Sequence, residues 1–124
     1  MQIVDANIVL RYVLSDCAEL SEKAKVIIEE NVVEVPIEVL CEVVYVLSSV
    51  YRVSRKDIYR ELTRLFAETQ CEIPHRASVL RGLELFAQEK MYFADCILAG
   101  YSESESAVIQ PFDKQLLKRL SNHS

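Results

Sequence analysis

Residues 3–12 read Ile-Val-Asp-Ala-Asn-Ile-Val-Leu-Arg-Tyr, and this stretch decides the fold. The β-branched pair Ile3-Val4 is followed at once by Asp5, and the apolar residues after Asp5 are spaced as in a helix. The stretch therefore predicts a short strand, a carboxylate directly after it, and then a helix. Asn7 is the residue that we expect to cap this helix.

The same alternation of short apolar runs and helical patterns continues along the chain. Further strands are predicted at residues 32–35, 71–73 and 107–109. Ser21 and Ser54 are expected to cap helices, and Pro36 is expected at the first position of another. Strands that alternate with helices predict an α/β fold, with a mostly parallel sheet and helices on both of its faces.

Length and composition favour one packed, helix-rich domain over residues 1–124. The chain has 124 residues, of which 51% are hydrophobic and only two are glycine, and this composition argues against disorder. The sequence has no apolar run of membrane-spanning length and no signal-peptide pattern at its start, so we expect a cytoplasmic protein without a membrane anchor. The four cysteines include no closely spaced pair, which favours free buried thiols over a zinc site.

Four carboxylates, Asp5, Glu42, Asp95 and Asp113, are predicted to meet at one edge of the sheet. Asp5 and Asp113 follow the first and last predicted strands, and parallel strands present their carboxyl ends at a common edge. Glu42 and Asp95 lie near predicted helix starts, and helical side chains tilt back toward that edge. Two such charges about 4 Å apart repel by about 4 kcal/mol at an effective dielectric of about 20, so the cluster would need a hard cation such as Mg²⁺ or Mn²⁺.

A metal-bound acidic cluster of this kind would also account for much of the net charge of −5, which by itself argues against a nucleic-acid partner. The bound ions could activate water and stabilise a phosphate during its transfer. The simpler alternative is that acids near helix starts only complement the helix dipole. Position alone leaves both interpretations open.

Four segments of the sequence carry a family resemblance. They are Val4-Asp5-Ala6-Asn7-Ile8-Val9-Leu10-Arg11-Tyr12, then Val35-Pro36 followed by Val39-Leu40-Cys41-Glu42-Val43-Val44-Tyr45-Val46-Leu47, then Phe93-Ala94-Asp95-Cys96-Ile97-Leu98-Ala99, and finally Phe112-Asp113-Lys114-Gln115-Leu116. In this order they resemble the motifs of the PIN-domain ribonucleases, especially the VapC-type toxins of prokaryotic toxin–antitoxin pairs. The resemblance implies a three-layer α/β/α domain with a mostly parallel sheet of four to five strands.

The resemblance also implies a metal-dependent endoribonuclease that works as a homodimer and is restrained by an antitoxin whose tail occupies the acidic cleft. Asp5 and Asp95 match direct metal ligands. Glu42 and Asp113 would bind a second ion or orient the attacking water, and Asn7 would support the site. The candidate RNA contacts are Arg11, Lys114 and Lys118. Pro111 departs from the family pattern, which often has threonine two residues before the last aspartate.

Two other functions compete with a nuclease. A receiver domain is of similar size, but it would need adjacent acids after its first strand, and Asp5 stands alone. A catalytically silent PIN-like binding module is disfavoured because all four acids are present, and Pro111 is the feature that keeps it open. A run of cations at Arg52, Lys56, Arg60 and Arg64 could follow an RNA backbone, but the interspersed acids favour ion pairs along a solvated helix face.

Overall fold

The computed structural model describes residues 2–110 and Leu120. The chain forms two compact units, Met1–Pro74 and His75–Ser124. A single domain over residues 1–124 stays a prediction. Within the described residues no helix is long and apolar enough to cross a membrane.

The first unit contains a small parallel sheet and four helices. Its elements in chain order are β1 (Gln2–Ile3), α1 (Ala6–Leu14), α2 (Ala18–Glu29), β2 (Val33–Glu34), α3 (Ile37–Ser49), α4 (Arg55–Glu68) and β3 (Cys71–Glu72). The mixed α/β character and the dominance of helices are confirmed. Ser54 caps α4 as predicted, since its side chain accepts a hydrogen bond from the backbone N–H of Asp57 at 3.1 Å.

The three strands lie in the order β1-β2-β3, and both pairs are parallel. Ile3 pairs with Glu34, and Glu34 pairs in turn with Glu72. One more backbone bond follows each pair, from Val4 N–H to the Glu34 carbonyl at 3.1 Å and from Val35 N–H to the Glu72 carbonyl at 2.8 Å. The sheet thus ends in buried apolar residues, and the chain turns into helices directly after them.

The predicted strand at residues 107–109 is wrong, and the described residues contain three strands instead of four or five. Helix α6 (Phe93–Glu105) is followed by Ser106, which has a φ of 54°, and Val108 in the next segment is 84% exposed. A β-branched run becomes a strand only when another strand pairs with it, and none does so within residues 2–110.

Two predicted helix starts were also displaced. Ser21 lies inside α2, which begins at Ala18 after Cys17, and Pro36 is the residue before the first turn of α3 rather than part of it.

The second unit is built on the packing of α5 (Arg76–Gln88) against α6 (Phe93–Glu105). The two glycines of the chain, Gly82 and Gly100, both lie at this contact. A Cβ atom on Gly100 would stand 2.2 Å from the Ser78 carbonyl oxygen, and one on Gly82 would stand 2.8 Å from Cδ1 of Ile97. Glycine is therefore needed at position 100 because the two backbones approach too closely for any side chain.

Candidate active site

Asp5 lies at the junction between β1 and α1. It is the N-cap of α1, and its Oδ1 accepts a hydrogen bond from the backbone N–H of Ile8 at 3.1 Å. The side chain is exposed. One oxygen of the carboxylate is therefore committed to the helix, which fixes its rotamer, while Oδ2 remains available to a ligand.

Asn7 does not cap the helix, contrary to the prediction. It lies inside the first turn of α1, and its Oδ1 accepts a hydrogen bond from Nε of Arg11 at 3.3 Å. The backbone bond of Val4 carries the strand pairing up to the residue before Asp5, so Asp5 takes the capping position. The helix therefore starts at Ala6, two residues earlier than a cap at Asn7 would give. The sequence signal for the capping role was an aspartate directly after an apolar strand, because aspartate is among the preferred N-cap residues.

Arg11, a candidate RNA contact, is tied to three side chains of its own unit. Its guanidinium forms an ion pair with Asp16 at 2.6 Å and donates a hydrogen bond to the Tyr51 hydroxyl at 3.3 Å, in addition to the bond with Asn7. The hydrogen bonds with Tyr51 and Asp16 raise the pKa of Arg11, so the group keeps its charge. These contacts give Arg11 a structural role that the sequence did not reveal.

Glu42 is an exposed residue of α3. It lies five residues after Ile37, the first residue of the helix, which places it about 7.5 Å from Ile37 along the helix axis. Glu38, also exposed, lies one turn earlier on the same helix face. Neither glutamate has an ion-pair partner among the described residues, so both carboxylates face solvent from a helix that is otherwise strongly apolar.

Cys41 stands beside Glu42, but it is a poor metal ligand. Burial, together with the negative charge of Glu38, raises the pKa of the Cys41 thiol, which keeps it protonated. Cys71 is likewise buried with a raised pKa, and all four cysteines are free thiols. The expectation of free buried thiols fits Cys71 and Cys96, whereas Cys17 and Cys41 are only partly buried.

Asp95 lies in the second unit, in the first turn of α6, and is half-buried. The helix begins after Tyr92 without a side-chain cap, so a carboxylate in this turn complements the unsatisfied N–H groups of the helix start. Asp113, Lys114, Lys118 and Pro111 lie outside the described residues.

The donor chemistry of these side chains fits a hard divalent cation. Asp5, Glu42 and Asp95 offer carboxylate oxygens, which are the ligands that Mg²⁺ and Mn²⁺ prefer. Asp5 and Glu42 belong to the first unit and Asp95 to the second, and no group of three or more acidic, histidine or cysteine side chains in the described part of the chain is placed to hold a metal ion. The convergence of the four acids therefore stays a prediction.

The first unit contains a cleft of about 550 Å³. It is lined by residues of α1, α2 and α4, among them Tyr12, Glu22, Glu29, Glu61, Arg64 and Glu68. The Tyr12 hydroxyl donates a hydrogen bond to Glu29 at 2.8 Å, and burial together with this bond raises the pKa of Tyr12 to about 12. Neither Asp5 nor Glu42 lines this cleft.

The predicted run of cations on α4 is not an unbroken basic stripe. Arg60 pairs with Asp57 at 2.8 Å, Arg64 pairs with Glu61 at 2.6 Å, and Arg52 lies before the helix with a φ of 55°. The expectation of ion pairs along a solvated face is confirmed.

Comparison with known proteins gives one match. The model of the PIN domain family matches residues 3–122, which is nearly the whole chain. A search of curated proteins and a search of solved structures each returned no match. The matched range includes all four predicted acids, and proteins with this domain are generally nucleases. The chain belongs to the PIN domain family.

Proposed function

We propose that the protein is a metal-dependent endoribonuclease that uses Asp5, Glu42, Asp95 and Asp113, and that it is the toxin of a toxin–antitoxin pair. The carrying observation is the family match over residues 3–122, which spans all four acidic motifs. The position of Asp5 supports the proposal, because this carboxylate directly follows a parallel strand, where ligands of α/β proteins bind.

In this proposal the carboxylates hold Mg²⁺ or Mn²⁺, and the ions supply the charge that activates water and stabilises the cleaved phosphate. Asp5 contributes Oδ2, because Oδ1 is engaged by the Ile8 amide. Glu42 contributes an exposed carboxylate without an ion-pair partner in the described residues. Both features leave the oxygens accessible to a cation and to a polyanionic substrate.

The first test follows cleavage of a mixed RNA pool by the purified protein in Mg²⁺, in Mn²⁺ and in EDTA. We expect cleavage in at least one metal and none in EDTA. Asp5→Asn should abolish it while preserving the helix cap, since asparagine caps helices as well as aspartate does. Cleavage that persists in EDTA and in the variant would contradict the proposal.

A matched pair of variants on α3 tests the assignment of Glu42. Glu42→Gln should reduce the cleavage rate by about two orders of magnitude or more, a loss typical of groups that stabilise transition-state charge. Glu38→Gln changes the same kind of exposed side chain one turn away and should alter the rate less than about threefold. Equal loss in both variants would mean that general electrostatics, rather than a specific ligand, explains the effect.

The toxin role and the homodimer rest on the similarity of the four motifs to VapC-type toxins. Expression of the wild-type protein should arrest growth in a host where Glu42→Gln does not, and co-expression of the neighbouring gene product should restore growth. Light scattering of the purified protein should give the mass of two chains. We place this activity in the cytoplasm, which agrees with the four free thiols.

The same assays would also detect the alternative, a PIN-like binding module without catalytic activity. A protein that binds Mn²⁺ by calorimetry and remains monodisperse, yet cleaves no RNA in the mixed pool, would replace the nuclease proposal with that one.

A further inference from the structure

Two tyrosines are far more exposed than the other described aromatic residues. The side chain of Tyr45 is 67% exposed and that of Tyr92 is 81% exposed. Most other aromatic rings are buried or have a partner. Phe66, Phe86 and Phe93 are buried, and the ring of Tyr101 contacts that of His75 edge-on at 5.0 Å. The Tyr12 hydroxyl bonds to Glu29, and the Tyr51 hydroxyl bonds to Arg11. Neither Tyr45 nor Tyr92 has a side-chain hydrogen bond within residues 2–110.

Each exposed tyrosine lies three residues from a predicted catalytic acid. Tyr45 follows Glu42 on the exposed side of α3, and residues three apart on a helix have Cβ atoms about 5–6 Å apart. Tyr92 is the N-cap of α6 and Asp95 is the third residue of that helix, a position from which a side chain can reach back toward the backbone of the N-cap residue. The same juxtaposition thus occurs once in each unit.

The charges around Tyr45 favour contact with bases over contact with phosphates. The charged residues on the exposed side of α3 are Glu38 and Glu42, the exposed residues after Tyr45 are Ser48 and Ser49, and the helix carries no lysine or arginine. Without a bound cation such a face repels a phosphate backbone, whereas an aromatic ring binds the π-face of any base without a charge of its own. In a duplex the bases are already stacked on one another, so only single-stranded RNA can offer a base to the ring.

We propose that Tyr45 and Tyr92 each stack on a base of single-stranded RNA beside the acid that lies three residues away. This inference rests on the proposed nuclease function and adds to it two residues that position the substrate. Each ring positions the base that it holds, and the acid three residues away acts on a phosphate next to that base.

Affinity for RNA is the first readout. The probe is a labelled single-stranded oligoadenylate of about twelve nucleotides, within the usual site size of such proteins. It is titrated in Ca²⁺, which carboxylates also bind, and a gel verifies that the strand stays intact. Tyr45→Leu and Tyr92→Leu should each weaken binding by about fivefold to a hundredfold, the effect of losing one stacked base. Tyr45→Phe and Tyr92→Phe keep the ring and should bind as the wild type does.

An oligonucleotide control separates stacking from a general effect of the substitutions. On a strand in which the bases are replaced by abasic sugars, or on the same strand paired with its complement, wild type and leucine variants should bind equally. Tyr59→Leu supplies a positional control, because it removes a partly exposed tyrosine on a different helix, α4. It should leave the affinity for oligoadenylate unchanged.

Tyrosine fluorescence gives a second, independent signal. The chain contains no tryptophan, so tyrosine emission is observable directly. Stacking on adenine should quench it on binding, and Tyr45→Phe should lose part of that quenching while retaining the affinity. A tyrosine with only a structural role would not reduce the quenching of fluorescence while leaving the affinity for RNA unchanged.

The outcomes distinguish this inference from the function on which it rests. Metal-dependent cleavage with unchanged affinity in both leucine variants would overturn the stacking role and leave the nuclease standing. An unchanged affinity together with a change from dimer to monomer would identify the tyrosines as contacts between copies of the chain, which also overturns it. A wild-type protein that neither cleaves nor binds RNA would remove both the function and the inference.

Discussion

The two units of the chain hold their predicted acids by different means. In the first unit a local hydrogen bond fixes Asp5, because the carboxylate itself caps the helix that follows it. In the second unit Asp95 lies on a helix without a side-chain cap, and the position of that helix depends on the close approach of α6 to α5 at Gly100. Local bonding positions one acid, and packing between helices positions the other.

The largest loss in the free energy of unfolding is expected at Gly100, where α5 and α6 approach most closely. Gly100→Ala would place a Cβ atom 2.2 Å from the Ser78 carbonyl oxygen, so the helices must move apart. Overpacking of this kind costs about 1–3 kcal/mol. A clash with backbone atoms belongs at the upper end of that range, and the gain of about 1 kcal/mol in helix propensity offsets only part of it.

Urea unfolding followed by circular dichroism would measure the effect of Gly100→Ala on the free energy of unfolding. Gly82→Ala is the matched control, because its new Cβ atom would first meet the flexible end of Ile97. The loss in this second variant should be smaller. Equal losses would show that backbone proximity at Gly100 is not what sets the position of α6.

A smaller loss in the free energy of unfolding is expected when Asp5, the N-cap of α1, is replaced. Asp5→Ala removes the bond to the Ile8 amide and should lower the free energy of unfolding by about 1 kcal/mol, whereas Asp5→Asn should cost only a few tenths. Both variants should lack ribonuclease activity. Thermal unfolding and the RNA cleavage assay measure the two consequences separately.

Ser54→Ala provides the comparison for that cap. It removes the equivalent bond at the start of α4 and should also cost about 1 kcal/mol, but it should leave RNA cleavage unchanged. If Ser54→Ala also abolished cleavage, the loss in Asp5→Ala would reflect a destabilised unit rather than a lost ligand.

The smallest expected effect is the dependence of the stability of the second unit on pH. Hydrogen bonds from Ser78 at 2.6 Å and from His75 lower the pKa of the Glu105 carboxyl below its ordinary value. A lowered pKa in the folded state means that the stabilisation is present above the pKa of the unfolded chain and is lost as the pH falls through the folded value. The unit should therefore weaken from about pH 5 downward.

The matching variant for this pH dependence is Glu105→Gln, which cannot ionise. Urea midpoints of wild type and variant, measured at several pH values, should differ near neutrality and converge in acid. Parallel curves would show that Glu105 contributes nothing to the pH dependence of stability.

Much of the first unit was predictable because its signals are local. The apolar runs that became β1, β2 and β3 are bounded by polar or turn residues, and the Ser54 cap precedes a strongly periodic helix. The cap of α1 was assigned to Asn7 because both Asp5 and Asn7 have suitable side chains. The choice depends on a bond between Val4 and Glu34, thirty residues apart, which no local pattern reveals.

The second unit was less predictable for the same physical reason. The run at residues 107–109 has strand-like composition, but a strand requires a partner, and composition does not supply one. Gly82 and Gly100 weaken the helical pattern of their own segments, and their purpose becomes visible only when α5 and α6 are packed together. The four acids were singled out by their positions near predicted strand ends and helix starts and then by family resemblance, and their mutual distances depend on contacts beyond the reach of any local pattern.

The hydrogen bond between Asp5 and the Ile8 amide has a thermodynamic consequence for ion binding. A side chain whose rotamer is already fixed gives up little conformational entropy when a cation arrives. Glu42 projects from an exposed helix face, and immobilising such a side chain costs up to about 1.5–2 kcal/mol. If both residues held one cation, most of the cost of ordering the side chains would therefore fall on Glu42.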